Sequence, residues 1–114
     1  MTTEIVNTLT SNLVPGDHPY LQGAWTPLHE EVDATDLKVL EGHIPLDLDG
    51  VYLRNTENPV FQAKGKYHPF DGDGMLHMAA FKNGQVSYRN RFIQTKGLQA
   101  EMEAGRALWA GLME

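Results

Sequence analysis

The sequence predicts an all-β fold with a helical cap, on three observations. The first is residues 75–95, where "MLHMAAF" and "QVSYRNRFIQT" flank "KNG". Asn-Gly between two β-prone runs is the strongest short hairpin signal. The second is "VYLRN" (51–55), a strand apolar and β-branched at its start, set off by the Asp49-Gly50 corner before it and "NTENP" after it. The third is a change of period after Gly97. Leu98, Met102, Gly105, Trp109 and Leu112 recur every three or four residues, the stripe of an amphipathic helix.

Taken in order, residues 1–35 read as an extended N-terminal arm. "VPGDHPY" and "WTPLHEE" carry prolines that favour extended or turn backbone, and no period is sustained. Residues 36–97 read as a β-rich region that contains the hairpin, with Met75, His77, Ala79 and Phe81 on one face of its first strand by the two-residue period. Val86, Tyr88 and Phe92 share a face of the second strand, which Asn90 interrupts. Residues 98–114 read as the helix, cut off mid-pattern without a capping glycine, with Glu103 and Arg106 spaced for an ion pair. All three segments are expected to form one incomplete domain.

Composition excludes several classes of function. A hydrophobic share of 41% with 21% charged residues is globular rather than disordered. The net charge of −6 opposes a sequence-independent grip on phosphate backbones, so no nucleic-acid partner is expected. With no cysteine there is no disulfide scaffold, thiolate metal site or cysteine nucleophile, which fits a cytoplasmic location. No apolar run approaches the roughly 20 residues that span a bilayer. Ser11 and Ser87, the only serines, lie outside any Gly-x-Ser-x-Gly elbow.

The densest chemistry is "HPFDGDGMLH", residues 68–77. Asp71 and Asp73 supply only two carboxylates, and apolar residues stand where an EF-hand loop needs its later ligands. Calcium at this pair predicts a calcium-dependent rise in melting temperature. His68 and His77 do not have the spacing of a helical two-histidine site. A structural corner accounts for more: Gly72 and Gly74 would supply positive φ angles, the aspartates would accept backbone N–H groups, and His77 would be a hydrogen-bonded histidine among apolar neighbours. His18, His29 and His43 have no partner at ligand spacing.

In combination these segments resemble the carotenoid cleavage oxygenase family, which includes the lignostilbene dioxygenases and the retinal isomerohydrolase relatives. "HPYLQGAWTPLHEEV" (18–32), "GHIPLDLDGVYLRN" (42–55), "NPV" (58–60) and "HPFDGDGMLHMAAFKNGQVSYRNRFIQT" (68–95) carry the likeness in the family's order, over roughly residues 18–110. Thr56 and Glu57 in "RNTENP" stand where the family commonly has Gly-Pro.

The resemblance implies a seven-bladed β-propeller with Fe(II) on its axis, held by four histidines with carboxylates behind several of them. It implies addition of O₂ across a conjugated C=C bond of a small apolar substrate (carotenoid, apocarotenoid or stilbene) to give two carbonyl products. At about 40–50 residues per blade, this chain would hold the N-terminal part: the arm, about one blade and a helix. The family's iron-binding histidines lie downstream, and none of the five here matches one. The stretch is therefore expected to carry no catalytic or metal-binding residue, to bind no Fe²⁺ itself and to be inactive alone. Arg54, Asn55, Phe70, Asp71, Gly72, Asp73, Gly74, Met75 and His77 form its structural motif. The competing expectation is a non-catalytic binding or accessory module that kept the hairpin without the iron site. Peripheral membrane contact through Trp109 and Leu112 is disfavoured by the acidic Glu101, Glu103 and Glu114.

Overall fold

The computed structural model describes residues 2–14 and 16–113. Met1, Pro15 and Glu114, which the sequence reading drew on at the arm and the helix end, lie outside them. The fold is all-β with one short helix. Its strands are β1 (Thr2–Thr8), β2 (Glu30–Thr35), β3 (Gly50–Glu57), β4 (Gly74–Lys82) and β5 (Gln85–Phe92), followed by α1 (Lys96–Ala104). The strands form one sheet in the order β1-β2-β5-β4-β3. By contact, the chain groups into two units interleaved along the sequence. The first joins Met1–Thr8, Glu30–Thr56 and Met75–Phe92; the second joins Leu9–His29, Glu57–Gly74 and Ile93–Glu114.

The first unit is the sheet. β4 and β5 pair antiparallel from Met75–Phe92 to Lys82–Gln85, closed by Asn83 and Gly84 at φ 52° and 75°. Positive φ at both central residues is what a two-residue type I′ hairpin requires, so the Asn-Gly signal translates directly into geometry. Met75 is fully buried and faces Phe92, itself 4% exposed, across the pair. Within the stretch read as an extended arm over 1–35, β1 pairs antiparallel with β2. β1 left no trace in the sequence because it is exposed along its whole length and so needs no alternation of apolar and polar residues.

Where the β2–β5 backbone ladder runs out beyond Asp33–Arg89, side chains splice the strands. Asn90 Oδ1 accepts the Val32 N–H at 2.7 Å, and the buried Glu31 carboxylate accepts the Phe92 N–H at 2.7 Å and the Asn7 amide at 3.0 Å. Asn90, read from sequence as an interruption, is 3% exposed and central to this join. On the opposite edge β3 is open, with Val51, Tyr52 and Leu53 each exposed by about three-fifths.

In the second unit Val60, Phe61, Leu9 and Leu98 are buried. The Thr95 hydroxyl caps α1 by accepting the Leu98 N–H at 3.0 Å. The helix expected over 98–114 ends at Ala104, because Gly105 takes φ 72° and gives its N–H to the Glu101 carbonyl at 2.7 Å. Gly105 is thus the glycine terminator that the sequence reading placed inside the stripe. The chain then returns along the helix: the Leu108 N–H reaches Glu101 Oε2 at 2.9 Å, and the Trp109 ring lies 3.6 Å from where a Cβ on Gly97 would stand. That return mimics two more helical turns. Arg106 falls outside the helix, so its spacing from Glu103 no longer has the meaning it would have within one. Gly105→Ala is expected to destabilise the unit by about 1 kcal/mol, the strain of an L side chain in the left-handed region, read as a lower urea midpoint.

Candidate functional site

The 68–77 cluster is divided between the two units after Gly74. In the second unit, "HPF" at 68–70 repeats the local chemistry of "HPY" at 18–20. Each proline opens a single 3-10 turn, Pro69–Asp71 and Pro19–Leu21. Each preceding imidazole caps it through Nδ1, His68 accepting from Phe70 N at 3.0 Å and His18 from Tyr20 N at 3.1 Å. His18 Nε2 is then 3.1 Å from the Tyr67 carbonyl. These two rings are spent on backbone groups that the turn ends would otherwise leave unpaired.

Asp71 Oδ2 accepts the His68 N–H at 3.1 Å, which completes a reciprocal cap, and its Oδ1 accepts the Leu112 N–H at 2.8 Å. Asp73 Oδ2 accepts the Val60 N–H at 3.0 Å, while its carbonyl accepts the Asn58 N–H at 2.7 Å. Both aspartates therefore serve as acceptors for backbone, the role expected of a corner. The glycine between them works differently from expectation. Gly72 has φ −68°, open to any residue, and Gly74 is not in the left-handed region either. What Gly72 provides is space: a Cβ there would stand 2.9 Å from Asn58 N, 2.9 Å from Glu57 Cβ and 3.0 Å from the Tyr67 hydroxyl. Phe70 points to solvent, 82% exposed.

Asp71, Asp73, Glu101, Tyr67, Phe61 and Trp109 line an acidic hollow of about 60 Å³. Burial, with Glu57, Asp71 and Asp73 adding to it, pushes the Tyr67 phenol up to about 12. Burial also raises Asp73, partly offset by its hydrogen bond from Val60, with Glu101 adding to the rise. The hollow is far below the roughly 300–1,000 Å³ of small-molecule pockets, so it houses no polyene or stilbene.

The first unit holds Met75, His77, Arg54 and Asn55. Arg54 and Asn55 are exposed on β3. His77 is half-buried and engaged at both nitrogens, with Nδ1 2.6 Å from the Tyr88 hydroxyl and Nε2 3.0 Å from Thr56 Oγ1. Burial, and then the Arg54 charge, hold its pKa below the usual imidazole value. Of the remaining histidines, His43 is exposed and His29 has a buried Nδ1 without a hydrogen-bond partner. Among the described residues no three His, Asp or Glu side chains are grouped to hold a metal ion, so the iron that the resemblance implies does not fit this stretch.

Sequence reasoning missed two polar residues that do structural work. Asn58 is 6% exposed and grips the Leu28 backbone from both sides, Oδ1 accepting its N–H at 2.8 Å and Nδ2 donating to its carbonyl at 2.9 Å. Thr56 joins β3 to His77 and to the Met75 carbonyl. The available signal was a polar residue directly before the buried "PVF" run at 59–61.

The family described as retinal pigment epithelial membrane protein matches residues 25–114. A carotenoid cleavage oxygenase of Mycobacterium tuberculosis is 43% identical over 95 residues, 82% of this chain and 19% of that protein. The probable chloroplastic carotenoid cleavage dioxygenase 4 of Arabidopsis thaliana is 39% identical over 85 residues, 75% of this chain and 14% of that protein. Among solved structures, the lignostilbene dioxygenase of Pseudomonas brassicacearum aligns with a TM-score of 0.79 at 33% identity, over 86% of this chain and 21% of that one. A variant of the Synechocystis apocarotenoid oxygenase aligns with a TM-score of 0.65 at 34% identity, over 75% and 18%. The chain thus spans about one-fifth or less of the length of these relatives. With two-thirds of the sequence and more matched in each case, it belongs to the carotenoid cleavage oxygenase family.

Proposed function

We propose that this chain is the N-terminal portion of a non-haem Fe(II) dioxygenase that cleaves a conjugated C=C bond of a carotenoid, apocarotenoid or stilbene-type substrate with O₂, giving two carbonyl products. The observation that carries the reading is the 43% identity to a carotenoid cleavage oxygenase across 95 residues. The iron, when present, supplies O₂ activation and is held by residues outside these 114. The part played by this chain is scaffolding. It builds the corner at Asp71 and Asp73, the hairpin and an open β3 edge against which the rest of a seven-bladed propeller continues. Exposed Val51, Tyr52 and Leu53 support that reading, because an apolar edge strand left open is a pairing hazard. Among the described residues no helix is long and apolar enough to cross a membrane. We assign the protein to the cytoplasm, with no nucleic-acid partner, given its charge of −6.

The test compares the 114-residue chain with the product of a reading frame extended past Glu114, each supplied with Fe(II), O₂ and either an apocarotenal or a lignostilbene. The short chain is expected to bind less than one equivalent of iron and to form no carbonyl product. The extended product is expected to contribute four further histidines in strand contexts and to cleave one of the substrates. A stop codon directly after Glu114, or one equivalent of iron on the short chain that is lost on mutating His68 or His77, overturns the proposal.

A further inference from the structure

Polar side chains of the sheet form a chain of hydrogen bonds across three strands, β3, β4 and β5. The relay is built on the Thr56 hydroxyl giving its hydrogen to the Met75 carbonyl, 3.2 Å away, which can only accept. Thr56 Oγ1 must then accept from His77 Nε2, which carries the imidazole proton. His77 Nδ1 is consequently bare and accepts the Tyr88 hydroxyl hydrogen at 2.6 Å. Asn90, two residues on along β5, ties the same strand to β2, its Oδ1 accepting the Val32 N–H at 2.7 Å. With that assignment every donor in the relay has one acceptor when His77 is neutral with its hydrogen on Nε2.

We propose that this relay is a proton-sensitive latch on the open edge of the sheet, holding β3 to β4 while His77 is neutral and releasing it when His77 is protonated. Protonation places a second N–H on Nδ1, facing a hydroxyl that already points its hydrogen at the ring. The Tyr88 hydroxyl must turn to accept, and its hydrogen loses its partner. The groups that bear on the ring are Arg54 and Thr56 from β3, and Tyr88 and Asn90 from β5. Arg54 is the charge among them, and it opposes a second cation beside it. Burial keeps the Tyr88 phenol above its ordinary range, so that it remains a donor.

The direction of the pH effect follows. Because the imidazole is held below its ordinary value of 6.5, the unfolded or opened chain binds the proton more readily than the closed one. The latch is complete above that ordinary value and weakens as pH falls from it through the lowered one. Opening is favoured by about tenfold for each pH unit separating the two values.

The test is NMR on the 114-residue chain, following the His77 ring and hydrogen exchange of the β3 and β4 amides, corrected for intrinsic exchange. At neutral pH the ring nitrogens are expected to report the Nε2–H tautomer. Protection at 51–57 is expected to fall as His77 titrates, and His77→Gln is expected to abolish that step. Tyr88→Phe removes the donor to Nδ1 while keeping the ring, so the His77 midpoint is expected to move up towards 6.5. An Nδ1–H ring, protection that ignores the titration, or a midpoint that is unchanged or lower in Tyr88→Phe overturns the proposal.

Discussion

Asn58→Ala is expected to destabilise the second unit by about 1–3 kcal/mol, since it removes two hydrogen bonds worth about 0.5–1.5 kcal/mol each. The side chain is 6% exposed and completes both backbone groups of Leu28, a residue 30 positions earlier in the chain. Alanine leaves that N–H and that carbonyl without the amide that served them. Asn58→Asp discriminates between lost packing and lost polarity. Its carboxylate still accepts from Leu28 N but faces the Leu28 carbonyl without a hydrogen to give, so it is expected to fare no better than alanine. Asn55→Ala, at an exposed position on β3, is the control and is expected to stay within about 0.5 kcal/mol of the parent. Urea midpoints give the ranking. Exchange at the Leu28 amide gives the mechanism, because its protection should vanish in Asn58→Ala and persist in Asn55→Ala.

Asn58 also illustrates what sequence could and could not carry. The hairpin was legible because its determinants are adjacent: Asn83 and Gly84 adopt positive φ for reasons contained within two residues. β3 was legible from its composition, though it runs two residues past Asn55 into the segment read as a break. β1 was not, because its partner lies beyond residues 9–29 and its open faces need no period. The helix start was read from the change of period after Gly97, two residues inside its actual start at Lys96, and its end was hidden when Trp109 returned beside Gly97 and prolonged the apolar spacing. Asp71 and Asp73 could be assigned to a corner from their neighbours alone. Their partners Leu112 and Val60, 41 and 13 residues away, could not. The family likeness supplied what the local signals did not: an expectation about a reaction, with its iron-binding histidines expected downstream.

Gly72→Ala is expected to cost about 2–3 kcal/mol, the upper part of the roughly 1–3 kcal/mol range for forcing an extra carbon into a packed site, and so more than Gly105→Ala. Torsion alone ranks the two the other way, since φ is −68° at Gly72 and +72° at Gly105. The difference lies in what surrounds the added carbon. Nothing stands within 4 Å of a Cβ at Gly105, whereas at Gly72 it would meet Asn58 N and Glu57 Cβ at 2.9 Å and the Tyr67 hydroxyl at 3.0 Å. Asn58 cannot retreat cheaply. Its N–H is bound to the Asp73 carbonyl at 2.7 Å and its amide to Leu28, so a displacement there loosens both. Tyr67 is 9% exposed and has little room to swing away. The clash should therefore propagate through Asn58, and Gly72→Ala combined with Asn58→Ala should cost less than the two separate effects added together. Urea unfolding of Gly72→Ala, Gly105→Ala and the double variant settles the matter. If Gly105→Ala proves the more damaging, the corner yields to an extra carbon and its glycine serves backbone geometry rather than close approach.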